Sequence, residues 1–161
     1  MLEKIDDTTT NKAEQECMEV CPEFCIPIVE YLGFLNDDFG FDQPTFKRVS
    51  RECWLTFDKE DVEIKIGYEP YSLPWGQVTR SDEILPINDL MKQYGFHLDE
   101  LKYSEYNEIS KRLFALLDRP READEYAASK KKQFDNAVAE HVKDIANFFK
   151  GHLKEILSQP S

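Results

Sequence analysis

Three observations predict an α+β fold, in which an antiparallel sheet from the middle of the chain packs against N-terminal and C-terminal helices. The first is strict alternation over Val62–Tyr68, where Val62, Ile64, Ile66 and Tyr68 alternate with Glu63, Lys65 and Gly67. A period of two marks a strand with one covered face. The second is a stripe of Phe134, Val138, Val142, Ile145, Phe149, Leu153 and Ile156, spaced three and four apart near the C-terminus. The third is the same helical spacing in Ile28, Tyr31, Leu32 and Leu35. Helices with one apolar face need a partner surface, and a one-sided sheet supplies it.

In chain order, residues 1–12 are polar, carry a Thr8-Thr9-Thr10 run, and are expected to form a frayed tail ahead of a single domain over 13–161. Ala13 to Glu19 permits a helix. Pro22 and Pro27 each suit a first helical turn, and the next helix is placed from Pro27 to Asp38, stopped by Gly40 in a left-handed cap. Thr45–Ser50 is a short strand. Cys53–Phe57 is a second, with Cys53, Leu55 and Phe57 on one side. Asp58, Lys59, Glu60 and Asp61 form a charged turn, so the runs on either side of it read as an antiparallel hairpin. Pro70 and Pro74 mark a loop, and Trp75–Arg80 is a further strand. Pro86 opens a short helix over Ile87–Tyr94, closed by Gly95. A helix over Tyr106–Leu117 ends at Pro120, and the last helix runs from Ala123 to Leu157.

At 161 residues the chain is long enough to bury a core without metal or disulfide support, and 41% hydrophobic content rules out a disordered chain. Its net charge is −12, and the distribution says more than the size. Residues 1–44 hold 11 acidic side chains against Lys4 and Lys12, a balance of −9. Such a surface repels nucleic acid and attracts basic partners, while also serving solubility. No apolar run is long enough to span a membrane. The polar start lacks the features of a secretory signal, so a cytoplasmic protein with reduced thiols is expected.

The chemistry-bearing patterns are few. Cys17, Cys21 and Cys25 stand four apart and would share a face of an unbroken helix, where three thiolates could hold a soft metal or a cluster. Against this, the prolines interrupt the stretch, the spacing fits no common ligand motif, and Glu16, Glu19 and Glu23 disfavour thiolates. Burial as small hydrophobic side chains is the alternative. His141 and His152 lie about 16 Å apart on one helix and cannot share an ion. The carboxylate pairs Asp37-Asp38, Glu60-Asp61, Asp82-Glu83 and Asp99-Glu100 are sequence neighbours in turns rather than facing catalytic acids. The basic cluster Lys47-Arg48-Arg51 reads as a solvated strand face, and Lys130-Lys131-Lys132 as helix surface. There is no nucleophile-elbow serine and no phosphate loop. No catalytic residue and no cofactor are therefore assigned.

Phe34-Leu35-Asn36-Asp37-Asp38-Phe39-Gly40-Phe41 ends a helix and leads to strands, the second reading Val62-Glu63-Ile64-Lys65-Ile66-Gly67-Tyr68. Over about residues 28–100 this order resembles a group of small, uncharacterised bacterial α+β proteins. Some such proteins are immunity proteins that neutralise a toxin. The resemblance implies no catalytic residue. Together with the charge it frames the principal expectation, an acidic non-enzymatic module binding a basic protein partner, with no nucleic acid and no membrane. Asp37, Asp38 and Asp42 are the candidate contacts, and Tyr71 and Trp75 are the candidate aromatic anchors. The alternatives are a metal- or cluster-binding protein using Cys17, Cys21 and Cys25, and a structural homodimer through the C-terminal helix. In that homodimer one of the adjacent Phe148 and Phe149 lies outside the core.

Overall fold

A computed structural model describes residues 12–158, so the expected tail lies outside the described residues except for Lys12, which opens the first helix. The order is α1 (residues 12–20), α2 (Pro22–Leu32), α3 (Phe34–Asp37), β1 (Thr45–Val49), β2 (Glu52–Lys59), β3 (Val62–Tyr68), β4 (Trp75–Arg80), β5 (Glu83–Pro86), α4 (Ile87–Gln93), α5 (Ser104–Ala115), α6 (Pro120–Ser129) and α7 (Lys131–Ser158). A 3-10 turn over Glu100–Tyr103 leads into α5.

The strands form an antiparallel meander in sequence order, β1-β2-β3-β4-β5. Register sets the two faces. Leu55 pairs with Ile66, Phe57 with Ile64, and Ile64 with Val78. These side chains therefore share the face on which Cys53, Tyr68 and Arg80 also lie, and all of them are buried. Side chains on the opposite face (Trp54, Thr56, Lys65, Trp75, Gln77) are half-buried at most. Helices cover the first face. Phe24 of α2 stacks on Tyr68 with ring centres 5.2 Å apart, and α7 packs along α2 through Val142, Ile145, Phe149 and Leu153, all essentially unexposed. Arg80 reaches from this face to α7, its Nη1 donating to the Ile156 carbonyl at 2.6 Å. A guanidinium on a last-turn carbonyl satisfies a group the helix leaves open.

Several boundaries differ from the expectation. The second helix starts at Pro22, which occupies its first turn, and runs through Pro27. Pro27 is buried with Phe24, Cys25, Ile28 and Leu32, so packing of that face offsets the lost backbone bond. The charged turn is shorter than expected, since Asp58 and Lys59 remain in β2. Strand β5 was not anticipated. The last helix is two helices broken at Lys130, whose N–H shares the Tyr126 and Ala127 carbonyls, while Ser129 Oγ donates back to Tyr126 O at 2.6 Å. Phe148 is not outside the core. It is fully buried, with Tyr94, Phe96 and His152 around its ring, because the loop after α4 folds over that side of α7. A dimer contact through an exposed Phe148 is thereby removed.

Gly76 shows how close the layers are. A Cβ there would stand 2.3 Å from the Lys65 carbonyl oxygen and 2.9 Å from Ile87 Cδ1. Backbone cannot yield as a side-chain tip can. Gly76→Ala is expected to destabilise the fold by about 2 kcal/mol, the scale of core overpacking, read as a lowered urea midpoint. An unchanged midpoint would show the β3–β4 pairing to be looser than described.

Candidate functional site

The three candidate acids sit in the connection from α3 to β1, and local chemistry fixes that connection. Gly40 takes φ 74°, which a glycine adopts without strain, and turns the chain sharply after α3. Asn36 Nδ2 then donates to the carbonyls of Phe41 at 3.1 Å and Asp42 at 2.8 Å. The Asp42 N–H donates to Asp58 O at 2.8 Å, and Lys59 Nζ donates to Phe39 O at 2.6 Å. The connection is thus stitched to the β2–β3 turn. That turn is stitched in its own right to the β4–β5 turn, where Ser81 Oγ donates to Asp61 Oδ2 at 2.8 Å. Ser81 and Asp82 both have positive φ, the geometry of a tight hairpin.

One end of the sheet therefore gathers Asp37, Asp38 and Asp42 with Asp58, Glu60, Asp61, Asp82 and Glu83, all exposed. The nearby bases are turned away from solvent duty. Lys59 is bound to the Phe39 carbonyl and Arg80 to the Ile156 carbonyl, with Glu83 3.9 Å from the latter's Nη2. Sequence reading identified the first three acids and read Asp58–Asp61 as a turn. It had no means of knowing that β-sheet register brings that turn beside Asp42.

The aromatic candidates lie elsewhere. Trp75 pairs with Gly67, five residues along β3 from Val62, about 17 Å toward the other end of the sheet. It stands on the half-open face, edge-on to Trp54 at 5.5 Å and 89°. Trp54 in turn roofs Gly67, where an added Cβ would meet its ring at 2.8 Å. Tyr71 is 46% exposed but packs on Phe134 of α7, on the helical side. Tyr71 and Trp75 thus face different ways, and neither joins the acids.

All three cysteines of the N-terminal run are buried, and Cys53 of β2 is buried with them. Cys21 sits in the junction between α1 and α2 with non-helical backbone, φ −147° and ψ 68°. Cys17 Sγ is 4.0 Å from Cys21 Sγ. Hydrogen bonds to Cys21 and Cys25 push the Cys17 thiol far up, and the same bonds lower Cys21 and Cys25. Burial pushes Cys53 up to about 12. Among the described residues, no group of three or more His, Cys, Asp or Glu side chains is placed to hold a metal ion. None of the described helices is long and apolar enough to cross a membrane.

His141 is buried in α7. Its ring meets Tyr103 edge-on at 5.7 Å, and its Nδ1 has no hydrogen-bond partner among the described residues. Burial lowers its pKa from the ordinary 6.5, opposed by Asp144 and by a bond to the Pro74 carbonyl. The folded protein thus declines a proton that the unfolded chain accepts. Stability is fully present above about pH 6.5 and falls as pH drops below it. Melting curves from pH 7.5 to 5.5 should fall more steeply for the wild type than for His141→Phe. Parallel slopes would show that His141 titrates normally in the fold.

No protein-family model, no curated protein and no solved structure matches the chain.

Proposed function

We propose that the protein is an acidic, non-enzymatic binding module that takes a basic protein partner on the acidic end of its sheet. One observation carries this reading. Three separate connections are hydrogen-bonded into a single edge, and their outward side chains are carboxylates while the local cations are spent on backbone carbonyls. A fixed patch of one sign speeds encounter with an opposite charge without costly reordering of loops. Asp37, Asp38 and Asp42 are the contacts assigned to the partner, with Asp58, Glu60 and Asp61 beside them. An immunity-type protein that neutralises a basic toxin is the biological role this chemistry fits, and the resemblance over residues 28–100 agrees with it.

The test compares the wild type with the triple variant Asp37→Lys, Asp38→Lys, Asp42→Lys. Each is immobilised and exposed to a lysate of the native host at low and high salt. A basic protein held by the wild type should be released as salt rises and lost by the variant, with association slowed about tenfold or more. A partner held equally by both proteins at both salt concentrations would refute the reading.

A further inference from the structure

The chain's four cysteines, at positions 17, 21, 25 and 53, converge into one run of thiols, which the binding reading does not use. Cys17 and Cys21 have their sulfurs 4.0 Å apart. Cys25 Sγ donates to the Glu14 carbonyl at 3.9 Å, and the titration of Cys17 is tied to Cys25 and that of Cys53 to Cys21. None of the four is more than 3% exposed. Cys25 of this run lines a cavity of about 220 Å³ between α2 and the first strands, together with Val29, Gly33, Pro44, Leu55 and Phe57.

We propose that Cys17 and Cys21 form an oxidisable dithiol, a covalent modification site reached by small peroxides through the cavity at Cys25. Three features carry this. The two residues are one helical turn apart, joined by the Cys21 N–H to Cys17 carbonyl bond of 2.8 Å. A four-residue rise puts their Cα atoms about 6 Å apart, within the 4.4–6.8 Å a disulfide spans. Cys21 lies in the α1–α2 junction rather than inside a helix, so closing the sulfurs turns a junction residue and leaves both helices intact.

The balance is a two-electron oxidation. The Cys25 thiolate attacks one peroxide oxygen, an S–O bond forms as the O–O bond breaks, and the leaving hydroxide takes a proton to become water. Cys17 attacks the Cys25 sulfenic sulfur and gives its proton to the departing oxygen, releasing a second water. The Cys21 thiolate then attacks the Cys17 sulfur, and Cys25 leaves as a thiolate. Two thiols are oxidised to the Cys17–Cys21 disulfide, one hydrogen peroxide is reduced to two waters, and Cys25 and Cys53 end as they began.

The test uses the full chain, reduced and then treated with stoichiometric hydrogen peroxide while folded. Thiol titration in denaturant should fall from four to two, the intact mass should drop by two hydrogens, and dithiothreitol should restore both. A glutamate-specific protease cuts at Glu19 and Glu23, between the three N-terminal cysteines, so the peptide map identifies the bridge directly. Cys25→Ser, checked for folding by circular dichroism, should oxidise at least about tenfold more slowly, since its thiolate makes the first attack. The proposal fails if all four thiols survive, if the bridge joins another pair, or if Cys25→Ser oxidises at the wild-type rate. It fails equally if the purified protein carries stoichiometric metal that blocks oxidation.

Discussion

One constraint organises the molecule. The meander is apolar on one face only, and a single layer of helices must cover it. Leu55, Phe57, Ile64, Ile66 and Val78 form that face, all at or below 2% exposure. The cover is α2 laid against α7, and neither helix would keep its apolar stripe dry alone. Phe24 on Tyr68 and Arg80 on the Ile156 carbonyl tie the layers from opposite ends of the sheet. Because α2 must lie on the sheet beside α7, the α3–β1 connection has to turn sharply at Gly40 and come down beside the β2–β3 turn. The acidic edge follows from that route.

How much of this was legible depended on whether a segment's signal was local. The period of two in β3 and the stripe in α7 are local patterns of burial; β3 formed as read, and the stripe is buried in α7 although the helix read over Ala123–Leu157 is split at Lys130. Strand β5 left no such mark. It is four residues, Glu83–Pro86; Ile84 points to the open face at 58% exposure, and the inward positions include Glu83. Its pairing with β4 comes from the tight Ser81–Asp82 turn rather than from hydrophobic alternation. Pro27 misled in the other direction. A proline five residues into a helix is unfavourable locally, yet the buried face it shares with Phe24, Ile28 and Leu32 outweighs the penalty. The break at Lys130 was invisible because no helix-breaking residue sits there.

The site was legible only in its chemistry. An excess of carboxylates over residues 1–44 can be counted, but a count does not say which other carboxylates stand beside them. That depends on register, and a one-residue change of register would reverse every face. The same rule separates Tyr71 from Trp75. They flank the same proline loop in sequence, yet β4 begins with Trp75 on the open face while Tyr71, at φ 69°, turns toward α7. Adjacency in the chain carried no information about adjacency in space.

The thiols and the carboxylates share one stretch of chain, and that conjunction has a physical consequence. Acidic neighbours oppose thiolate formation, as Glu23 does for Cys21 and Glu14 for Cys25. A buried thiol in acidic surroundings is slow to react with whatever drifts past. Selectivity must then come from geometry. Cys53 is held in a strand, with its sulfur pushed further toward the protonated form by burial. Cys25 alone of the four lines the cavity, and its interaction with Cys17 lowers its pKa from the ordinary thiol value. The fold therefore distinguishes among four chemically identical side chains by where each sits, and the helix junction at Cys21 decides which pair can close.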